Sequence, residues 1–503
     1  MIQKKIAIIG GGVSGLAAGI YAQKNGFDSA IYERHSVVGG QCTGWFRNGF
    51  LIDNCVHWLT GTNPEKDIYK IWCDVGVLGK DVEIIRHASF LQLQSTDGQS
   101  VDLWRDKEQL HTSLLKFSPE DKEAIDEFIM LLDAYRAVVL PSFKPSEQFN
   151  LKDYWYLLKK MRRLGPIHSK YSKMSIPQYV ERFKHPLLRQ WLLAYMPESY
   201  NVSSLFYVFA TFIDGNGDLP RGGSLGMIQR MEEKYLALGG KIHTHYEADK
   251  IHVSKRLATS VTFTNGKEAV ADYVVCACDT NVLFNRLLAN DFLDKYFTQH
   301  YAQKKNYPVY SSFNCYFSVD GKCDEMSNTT VFQCEDYHMG AKTYDHVLVK
   351  NFDYEPSFSP EGKSVLQTLL IQYEDDFDYW KKLYETDRES YKKEKLKAAE
   401  QIQKRIEKQF PKLGTLSILD TVTPMSFYRF CGAYKGAYMS FILTPFVPKR
   451  SHRGRLMGVK NLYLAGQWLQ PPGGLPNAVL TGKFAIQRLC KQEKVKFNQL
   501  FDN

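Results

Sequence analysis

The sequence predicts an α/β protein in which a dinucleotide-binding domain, built from discontinuous segments, is joined to a mixed α+β domain. Two observations lead to this prediction. A glycine-rich turn follows a short apolar strand at the N-terminus, and a second strand–turn–helix pattern begins at residue 461. At 503 residues the chain is also too long for one hydrophobic core, which favours two or three lobes.

The N-terminal turn has the order of elements that dinucleotide binding requires. Residues 6–9 form an apolar strand that runs into Gly10-Gly11-Gly12-Val13-Ser14-Gly15, and a helix-periodic stretch follows. Gly10 makes the tight turn, Gly12 lets the backbone approach a pyrophosphate, and Gly15 lets helix and strand pack closely. The pyrophosphate is then expected at the helix N-terminus, where free N–H groups and the helix dipole favour an anion.

An acidic residue follows the second strand of this unit. Residues 29–32 are strand-like and end at Glu33, 18 residues after Gly15. A carboxylate in this place can accept hydrogen bonds from ribose hydroxyls, and its charge disfavours a 2′-phosphate. NADP is therefore the least expected occupant.

The pair Gly39-Gly40 comes just after this acid. With it, the chain resembles the phytoene desaturase, carotenoid isomerase and retinol saturase group of the flavin amine-oxidase superfamily, in which such a pair lines the pyrophosphate and ribityl path. Four further segments carry the resemblance and extend it over essentially the whole chain: PRGGSLG at 220–226, ADYVVCACD at 271–279, TPMSFYRF at 423–430 with Gly432 and Gly436, and NLYLAGQWLQPPGGLPNAVLTGKFAIQ at 461–487.

The resemblance implies FAD as the cofactor and a division of the chain into two domains. Residues 1–85, 221–285 and 455–503 are expected to form a Rossmann-like FAD-binding domain. Residues 86–220 and 286–454 are expected to form a mixed α+β substrate domain with a helical lid. The residues predicted to bind FAD are Gly10, Gly12, Val13, Ser14, Gly15, Glu33, Arg34, Gly39, Gly40, Gln41, Ala248, Gly466, Gln467, Gly474, Leu475, Pro476 and Asn477.

The C-terminal segment also has an interpretation from its own residues. A buried strand over 462–465 is expected to end at Gly466, and a helix to begin at Leu475-Pro476-Asn477. Free N–H groups at this helix start can stabilise the negative charge that builds up on a reduced flavin. The alternative interpretation of this segment is a strand–helix unit at the protein surface with a proline-rich loop.

Two positions depart from the family pattern. Gln467 replaces the usual Asp that accepts from the ribityl hydroxyls, so each of its hydrogen bonds is expected to be weaker. Ala248 replaces a valine at the adenine contact, where backbone groups do the binding, so this change is expected to matter little.

Composition and the remaining motifs limit the class of protein and its expected location. The balance of 44% hydrophobic and 24% charged residues is that of an ordinary globular protein. The N-terminus has no signal-peptide pattern and no run approaches the roughly 18 apolar residues that span a bilayer, so a cytoplasmic protein is expected. Ten scattered cysteines suggest free thiols, and no metal-ligand cluster is apparent.

A basic segment at about 142–174 is a candidate membrane contact. It holds eight Lys or Arg against two acids, and the pattern from residue 154 to 164 predicts an amphipathic helix. Peripheral binding to an anionic membrane on the inner face is one interpretation, and an ordinary packed helix is the other. Nucleic acid is not expected, because no recognition motif accompanies the charge. The predicted apolar face consists of Tyr154, Leu157, Leu158, Met161 and Leu164.

The function expected from the resemblance is flavin hydride chemistry on an apolar unsaturated lipid or isoprenoid. Desaturation, saturation and cis–trans isomerisation stay open, with oxygen or a quinone as the expected electron acceptor. A flavin amine oxidase and a non-catalytic, membrane-docked lipid-binding flavoprotein are the alternatives. His57 and Trp58 are candidates for a place near the flavin ring, although a histidine satisfied by backbone is an equal alternative for His57. Weaker candidates for the pocket wall are Tyr428, Arg429 and Tyr434.

Overall fold

The computed structural model describes residues 3–340 and 342–499. Residues 1–2 and 500–503, the outer ends of the first and last predicted segments, therefore lie outside the described residues. The helices of five or more residues are Val13–Lys24, Asp67–Asp74, Lys107–Phe117, Lys122–Tyr135, Leu151–Met161, Leu164–Tyr171, Ile176–Val180, Pro186–Leu193, Val202–Ile213, Gly223–Ala237, Lys295–Ala302, Glu374–Thr386, Arg388–Gln409, Pro424–Cys431 and Gly474–Glu493, with a π-helical turn at Leu283–Leu287. Shorter helical turns are Pro119–Asp121, Ser146–Gln148, Thr280–Val282, Pro356–Phe358, Tyr434–Gly436 and Gln467–Leu469.

A five-stranded parallel sheet carries the N-terminal turn. Its strands come from far apart in the sequence, because each parallel pairing requires a crossover connection. Both faces are covered, as a parallel sheet requires: three helices pack on one face, and a small antiparallel sheet over residues 248–270 packs on the other. Two of these helices approach so closely that a Cβ on Gly482 would lie 2.3 Å from the carbonyl oxygen of Ser14. The strand order is Lys241–His243, Asp28–Tyr32, Lys5–Ile9, Tyr273–Cys276 and Leu462–Leu464.

A seven-stranded mixed sheet forms the centre of the second region. One face packs against helices between residues 107 and 213, and the other against the helices Glu374–Thr386 and Arg388–Gln409. Its strands run in the order Leu416–Val422, Tyr310–Val319, Ser364–Tyr373, Lys342–Asn351, Thr329–Met339, Ser89–Gln94 and Ser100–Trp104.

Small antiparallel sheets complete the structure. One is the hairpin Gly44–Arg47 with Phe50–Asp53, and another pairs Gly217–Pro220 with both Leu59–Thr60 and Ile84–Ile85. A third has the order Ala248–Ser254, Leu257–Phe263 and Glu268–Val270. The α/β class and the additional α+β region are thus confirmed, whereas the exact domain boundaries stay a prediction.

The basic segment differs from the single helix predicted over 154–164. One helix, Leu151–Met161, begins at a capping box between Asn150 and Asp153, and a second helix, Leu164–Tyr171, follows after a break. The break has a local cause, since Pro166 has no N–H to bond the carbonyl of Arg162. No helix in the described ranges is long and apolar enough to cross a bilayer.

The apolar face of this segment also differs from the predicted one. Leu151, Tyr154, Trp155 and Leu158 form the exposed row, at spacings of three and four residues along one helix. Leu164 is buried instead, because the break after Met161 turns the second helix into the protein.

Candidate functional site

The N-terminal turn has the geometry expected of a phosphate-binding loop. Gly10 has a φ of +99°, which disfavours any other residue. A Cβ on Gly15 would lie 2.0 Å from the carbonyl oxygen of Gly10, so the helix can pack this close only with glycine. Gly12 is different, because a Cβ there would meet nothing within 3.8 Å. The backbone of Gly12 is therefore open to a ligand, at a helix N-terminus without a side-chain cap or an acid in its first turn.

Glu33 is held by backbone donors beside this turn. Its side chain is 6% exposed and lines the cavity described below. One carboxylate oxygen accepts from Gly11 N–H at 2.7 Å and the other from His35 N–H at 2.9 Å. Each oxygen keeps a lone pair that can accept a hydroxyl.

The pair Gly39-Gly40 lies against the same turn. Gly39 N–H donates to the Gly11 carbonyl at 2.9 Å, and Gly12 and Gly39 form a parallel bridge. A Cβ on Gly40 would lie 3.3 Å from the Cα of Gly12. The two glycine motifs therefore form one backbone surface, which has room for a diphosphate along it.

The C-terminal segment closes this surface. Its last helix, Gly474–Glu493, begins without a side-chain cap and without an acid in its first turn, and residues 473–478 line the cavity. Gln467 joins three elements here: its amide nitrogen donates to Gln41 Oε1 at 3.1 Å and to the Tyr438 carbonyl at 3.3 Å, while its oxygen accepts from Gly474 N–H at 3.0 Å. An aspartate in this place lacks the donor that binds Gln41 and Tyr438.

Other predicted cofactor residues lie around the same space. Arg34 and Ala248 line the cavity, and the guanidinium of Arg286 donates to the Ala248 carbonyl at 3.1 Å. Gly466 is not a lining residue and bonds Thr481 Oγ1 through its N–H at 2.9 Å. Asp279 lines the cavity although the sequence did not single it out, and desolvation raises its pKa to about 6.

One cavity of about 1180 Å³ connects this backbone surface with the second region. It continues from the glycine turns past His57 and Trp58 to an apolar chamber between the seven-stranded sheet and the helices over 122–213. Cavities for drug-sized ligands are commonly about 300–1,000 Å³. The volume therefore accommodates a large cofactor together with a second ligand.

Aromatic side chains form the wall of the apolar chamber. The Trp58 ring lies 5.8 Å from Phe90 and 5.7 Å from Tyr195 between ring centroids, and Phe90 lies 5.1 Å from Phe212. All four line the cavity. Edge-to-face and tilted packing of this kind gives a rigid apolar wall suited to a flat, unsaturated chain.

A small polar group interrupts this wall. Burial in the protein lowers the pKa of His57 to about 3 and that of His87 to about 4, and the charge of Lys350 lowers both further. Both imidazoles are therefore neutral at physiological pH. Lys350 itself is 4% exposed, and desolvation lowers its pKa to about 8.

The other predicted wall residues lie elsewhere. Tyr428 is 41% exposed and packs on Phe377, and Arg429 lies over the Tyr384 ring. Tyr434 donates its backbone N–H to Asp279 at 2.9 Å. None of Tyr428, Arg429 and Tyr434 is a lining residue of the cavity.

The residues present fit a flavin dinucleotide. The open backbone at Gly12 and two uncapped helix starts suit a diphosphate, and the buried Glu33 suits a ribose. Ser440 Oγ is buried without a hydrogen-bond partner, and a Cβ on Gly473 would lie 2.8 Å from its side chain. The glycine keeps this polar atom close to the cofactor end of the cavity.

Comparison with known proteins agrees with this site. The model of the flavin containing amine oxidoreductase family matches residues 13–490. Among curated relatives, a 4,4'-diapophytoene desaturase (4,4'-diapolycopene-forming) of Methylomonas sp. is 23% identical over 99% of this chain and 97% of its own length. The chloroplastic prolycopene isomerase of Daucus carota is 22% identical over 96% of this chain and 79% of its own length.

Solved structures show the same fold. An oxidoreductase from Methanosarcina mazei has a TM-score of 0.59 at 16% identity, covering 96% of this chain and all of its own. Wild-type putrescine oxidase bound to putrescine has a TM-score of 0.60 at 15% identity, covering 98% of this chain and 100% of its own.

The family match begins at Val13, within the first glycine turn, and spans the pair Gly39-Gly40, the apolar region and most of the last helix, which are parts that build the cavity. The chain belongs to the flavin containing amine oxidoreductase family and is an FAD-dependent oxidoreductase.

Proposed function

We propose that this protein catalyses flavin-dependent hydride chemistry on an apolar, unsaturated isoprenoid or lipid. The observation that carries the proposal is the single cavity that connects the glycine turns with a chamber walled by Trp58, Phe90, Tyr195 and Phe212. An apolar chain in this chamber reaches the cofactor end without crossing solvent. The relatives named as diapophytoene desaturase and prolycopene isomerase support the substrate class.

In this proposal each predicted cofactor residue has a specific task. The backbones of Gly12, Gly39 and Gly40 bind the diphosphate, and Glu33 binds the adenosine ribose. FAD, when bound, supplies the hydride acceptor or donor. The start of the helix Gly474–Glu493 stabilises negative charge through its free N–H groups.

The substrate chamber contributes positioning and exclusion of water. Its aromatic wall holds a flat chain in one orientation, which raises the rate by reducing the freedom of the reacting carbons. The imidazole of His57 stays neutral, so it can hold a proton on one nitrogen and accept at the other. Desaturation, saturation and isomerisation share these requirements, and oxygen or a quinone serves as the electron acceptor when one is needed.

The charges in the cavity argue against an amine substrate. The buried cation Lys350 repels a protonated amine, and the buried acid Asp218 is already paired with Arg105. This favours the isoprenoid or lipid over the amine oxidase alternative.

We also propose that the helix Leu151–Met161 contacts an anionic membrane surface. Leu151, Trp155 and Leu158 are 87%, 65% and 69% exposed, and Lys159 and Lys160 follow on the same helix. Met161, at the helix end, lines the cavity. An apolar substrate can therefore move from the bilayer to the chamber.

Two further exposed apolar side chains bear on the membrane proposal, one as added apolar surface and one as a control. Phe446 is 67% exposed and also lines the cavity, so exposed apolar surface is present at the cavity itself. Leu396 is 49% exposed on the helix Arg388–Gln409 and does not line the cavity. It provides a matched control for substitutions on the basic helix.

The substrate class is tested with lipids that co-purify with the protein. Organic extraction of the holoprotein, followed by mass spectrometry, is expected to yield an unsaturated isoprenoid or polyunsaturated lipid. The extracted class is then supplied to the enzyme, and the product is examined for a change of two hydrogens or of double-bond geometry. Absence of any flavin difference spectrum with such lipids, together with bleaching by amines, would contradict the proposal.

A further inference from the structure

The seven-stranded sheet places a buried ammonium group in the cavity wall. Lys350 belongs to the strand Lys342–Asn351, is 4% exposed and lines the cavity. The strand residues before it, Val347 to Val349, are apolar and buried or nearly so. Burial of a charged group is costly unless the charge is paired.

Lys350 has few partners within the protein. Its Nζ donates to the Val56 carbonyl at 3.1 Å and lies 4.8 Å from the Phe352 ring centroid and 5.9 Å from that of Tyr354. An ammonium has three N–H donors. Among residues 3–340 and 342–499, no carboxylate oxygen lies within 4.0 Å of this nitrogen. Its charge therefore lacks a direct counter-ion.

The acid whose charge acts on Lys350 already has hydrogen-bond donors of its own. The charge of Asp53 raises the pKa of Lys350, but its carboxylate accepts from the backbone and hydroxyl of Ser224 and from Cys55 N–H at 3.1 Å. Asp53 thus fixes the start of a neighbouring helix. It leaves the other N–H donors of Lys350 for another acceptor.

Two neutral imidazoles accompany this ammonium. His57 and His87 both line the cavity, and the charge of Lys350 acts on both. The His87 ring lies 4.7 Å from that of Tyr354, next to Lys350, and His87 Nε2 is buried without a hydrogen-bond partner. The group therefore offers one positive charge and unused polar atoms inside an otherwise aromatic wall.

We infer that Lys350, together with His57 and His87, binds a carboxylate at the end of an apolar unsaturated chain. The inference rests on the proposed function and narrows its substrate from hydrocarbons to acids. A carboxylate supplies the missing charge and two acceptor oxygens, whereas a hydrocarbon leaves Lys350 unpaired. A hydroxyl accepts a hydrogen bond but brings no charge.

The surroundings suit an acid with an apolar body. Trp58 follows His57 directly and begins the aromatic wall with Phe90 and Tyr195. The carboxylate end and the first part of the chain therefore meet adjacent surfaces of the same cavity.

The test compares two ligands with the same carbon skeleton, retinoic acid and retinol. Their dissociation constants for the holoprotein are measured by calorimetry, in wild type and in Lys350→Met. Wild type is expected to bind the acid at least about tenfold more tightly than the alcohol, which corresponds to about 1.4 kcal/mol. Lys350→Met is expected to lose this preference through weaker binding of the acid, with retinol affinity unchanged.

A pH series tests the same group without a substitution. Asp53 and Cys55 raise the pKa of Lys350 and desolvation lowers it to about 8, while His57 and His87 stay neutral above pH of about 5. The preference for the acid is therefore expected to decline as pH rises from about 7 to about 10, because the ammonium loses its proton. A preference that does not change over this range overturns the inference.

The other outcomes separate this inference from the proposed function. If retinol binds and the acid has no advantage in wild type, the carboxylate site is wrong and the apolar chamber stands. If neither retinoic acid nor retinol binds, both the carboxylate site and the proposed apolar substrate chamber are wrong. If Lys350→Met changes the flavin absorption spectrum or potential but keeps the acid preference, Lys350 serves the flavin and the inference is wrong.

Discussion

Replacement of Glu33 by glutamine removes the charge of the predicted ribose acceptor while keeping its size. The carboxylate is 6% exposed and accepts from Gly11 N–H at 2.7 Å and from His35 N–H at 2.9 Å. Glutamine retains one oxygen, so its NH₂ group faces one of these two N–H donors. One hydrogen bond is lost and the other becomes neutral.

The size of the expected loss in FAD affinity follows from these two hydrogen bonds. A hydrogen bond to a charged group contributes about 1.5–3 kcal/mol and a neutral one about 0.5–1.5 kcal/mol. Because we propose that the same turn binds the cofactor, we expect FAD affinity to fall by about 2 kcal/mol, or about 30-fold. The cause is a displaced turn together with a weaker ribose contact.

The assay is the fluorescence of FAD during reconstitution of the apoprotein. Glu247→Gln is the matched control, because Glu247 also lines the cavity but is 35% exposed and pairs with Arg286. The control is expected to stay within about threefold of wild type, since exposed ion pairs contribute about 0–1 kcal/mol. Equal FAD affinities for Glu33→Gln and wild type would refute the reasoning.

Three further predictions follow from the same structure. Gly15→Ala is expected to abolish stable FAD retention, because its Cβ would lie 2.0 Å from a backbone oxygen of the turn. Gly165→Ala is the control and is expected to retain FAD fully, since a Cβ there would meet nothing within 4 Å. Equal FAD content in the two purified variants would contradict the prediction. Trp155→Ser with Leu158→Ser is expected to reduce sedimentation with anionic vesicles several-fold without changing turnover of detergent-dissolved substrate, whereas unchanged sedimentation removes the membrane proposal. His57 has a folded-state pKa of about 3, below its unfolded value, so its contribution to stability is present above pH of about 6.5 and is lost as pH falls toward about 3. His57→Gln is therefore expected to flatten the decline of the unfolding free energy between these two pH values. A parallel decline in wild type and variant would count against this prediction.

Local rules explain what the sequence could predict. The turn at Gly10, the acid Glu33 beside it and the strand–helix unit at 461–487 depend on residues close in sequence, so their local structure follows from glycine conformation and helix starts. Gly15 shows this most clearly: its spacing predicts close packing of helix and strand, and a Cβ added there would lie 2.0 Å from the carbonyl oxygen of Gly10.

The acid-binding group could not be predicted in the same way. Lys350 and Val56 are 294 positions apart, and only the folding of the sheet against the segment that follows the hairpin Gly44–Asp53 brings them together. The one local signal is a lysine that continues an apolar strand, and this pattern alone does not predict a binding site.

The prediction of one continuous helix over residues 154–164 is wrong for a local reason. Pro166 has no N–H to bond the carbonyl of Arg162, and the helix predicted from residue 154 to 164 is interrupted after Met161. The exposed apolar row includes Leu151 and Trp155, because the first helix begins at Leu151 rather than at residue 154.

The central claim is that one cavity brings an unsaturated lipid to the flavin. Its most direct test is anaerobic mixing of the holoprotein with the lipid that co-purifies, followed by stopped-flow absorbance and product analysis. Oxidised flavin bleached by the lipid indicates desaturation, reduced flavin reoxidised by it indicates saturation, and altered double-bond geometry without net flavin change indicates isomerisation. We expect one of these three results. An unchanged lipid with an unchanged flavin spectrum in both redox states would contradict it.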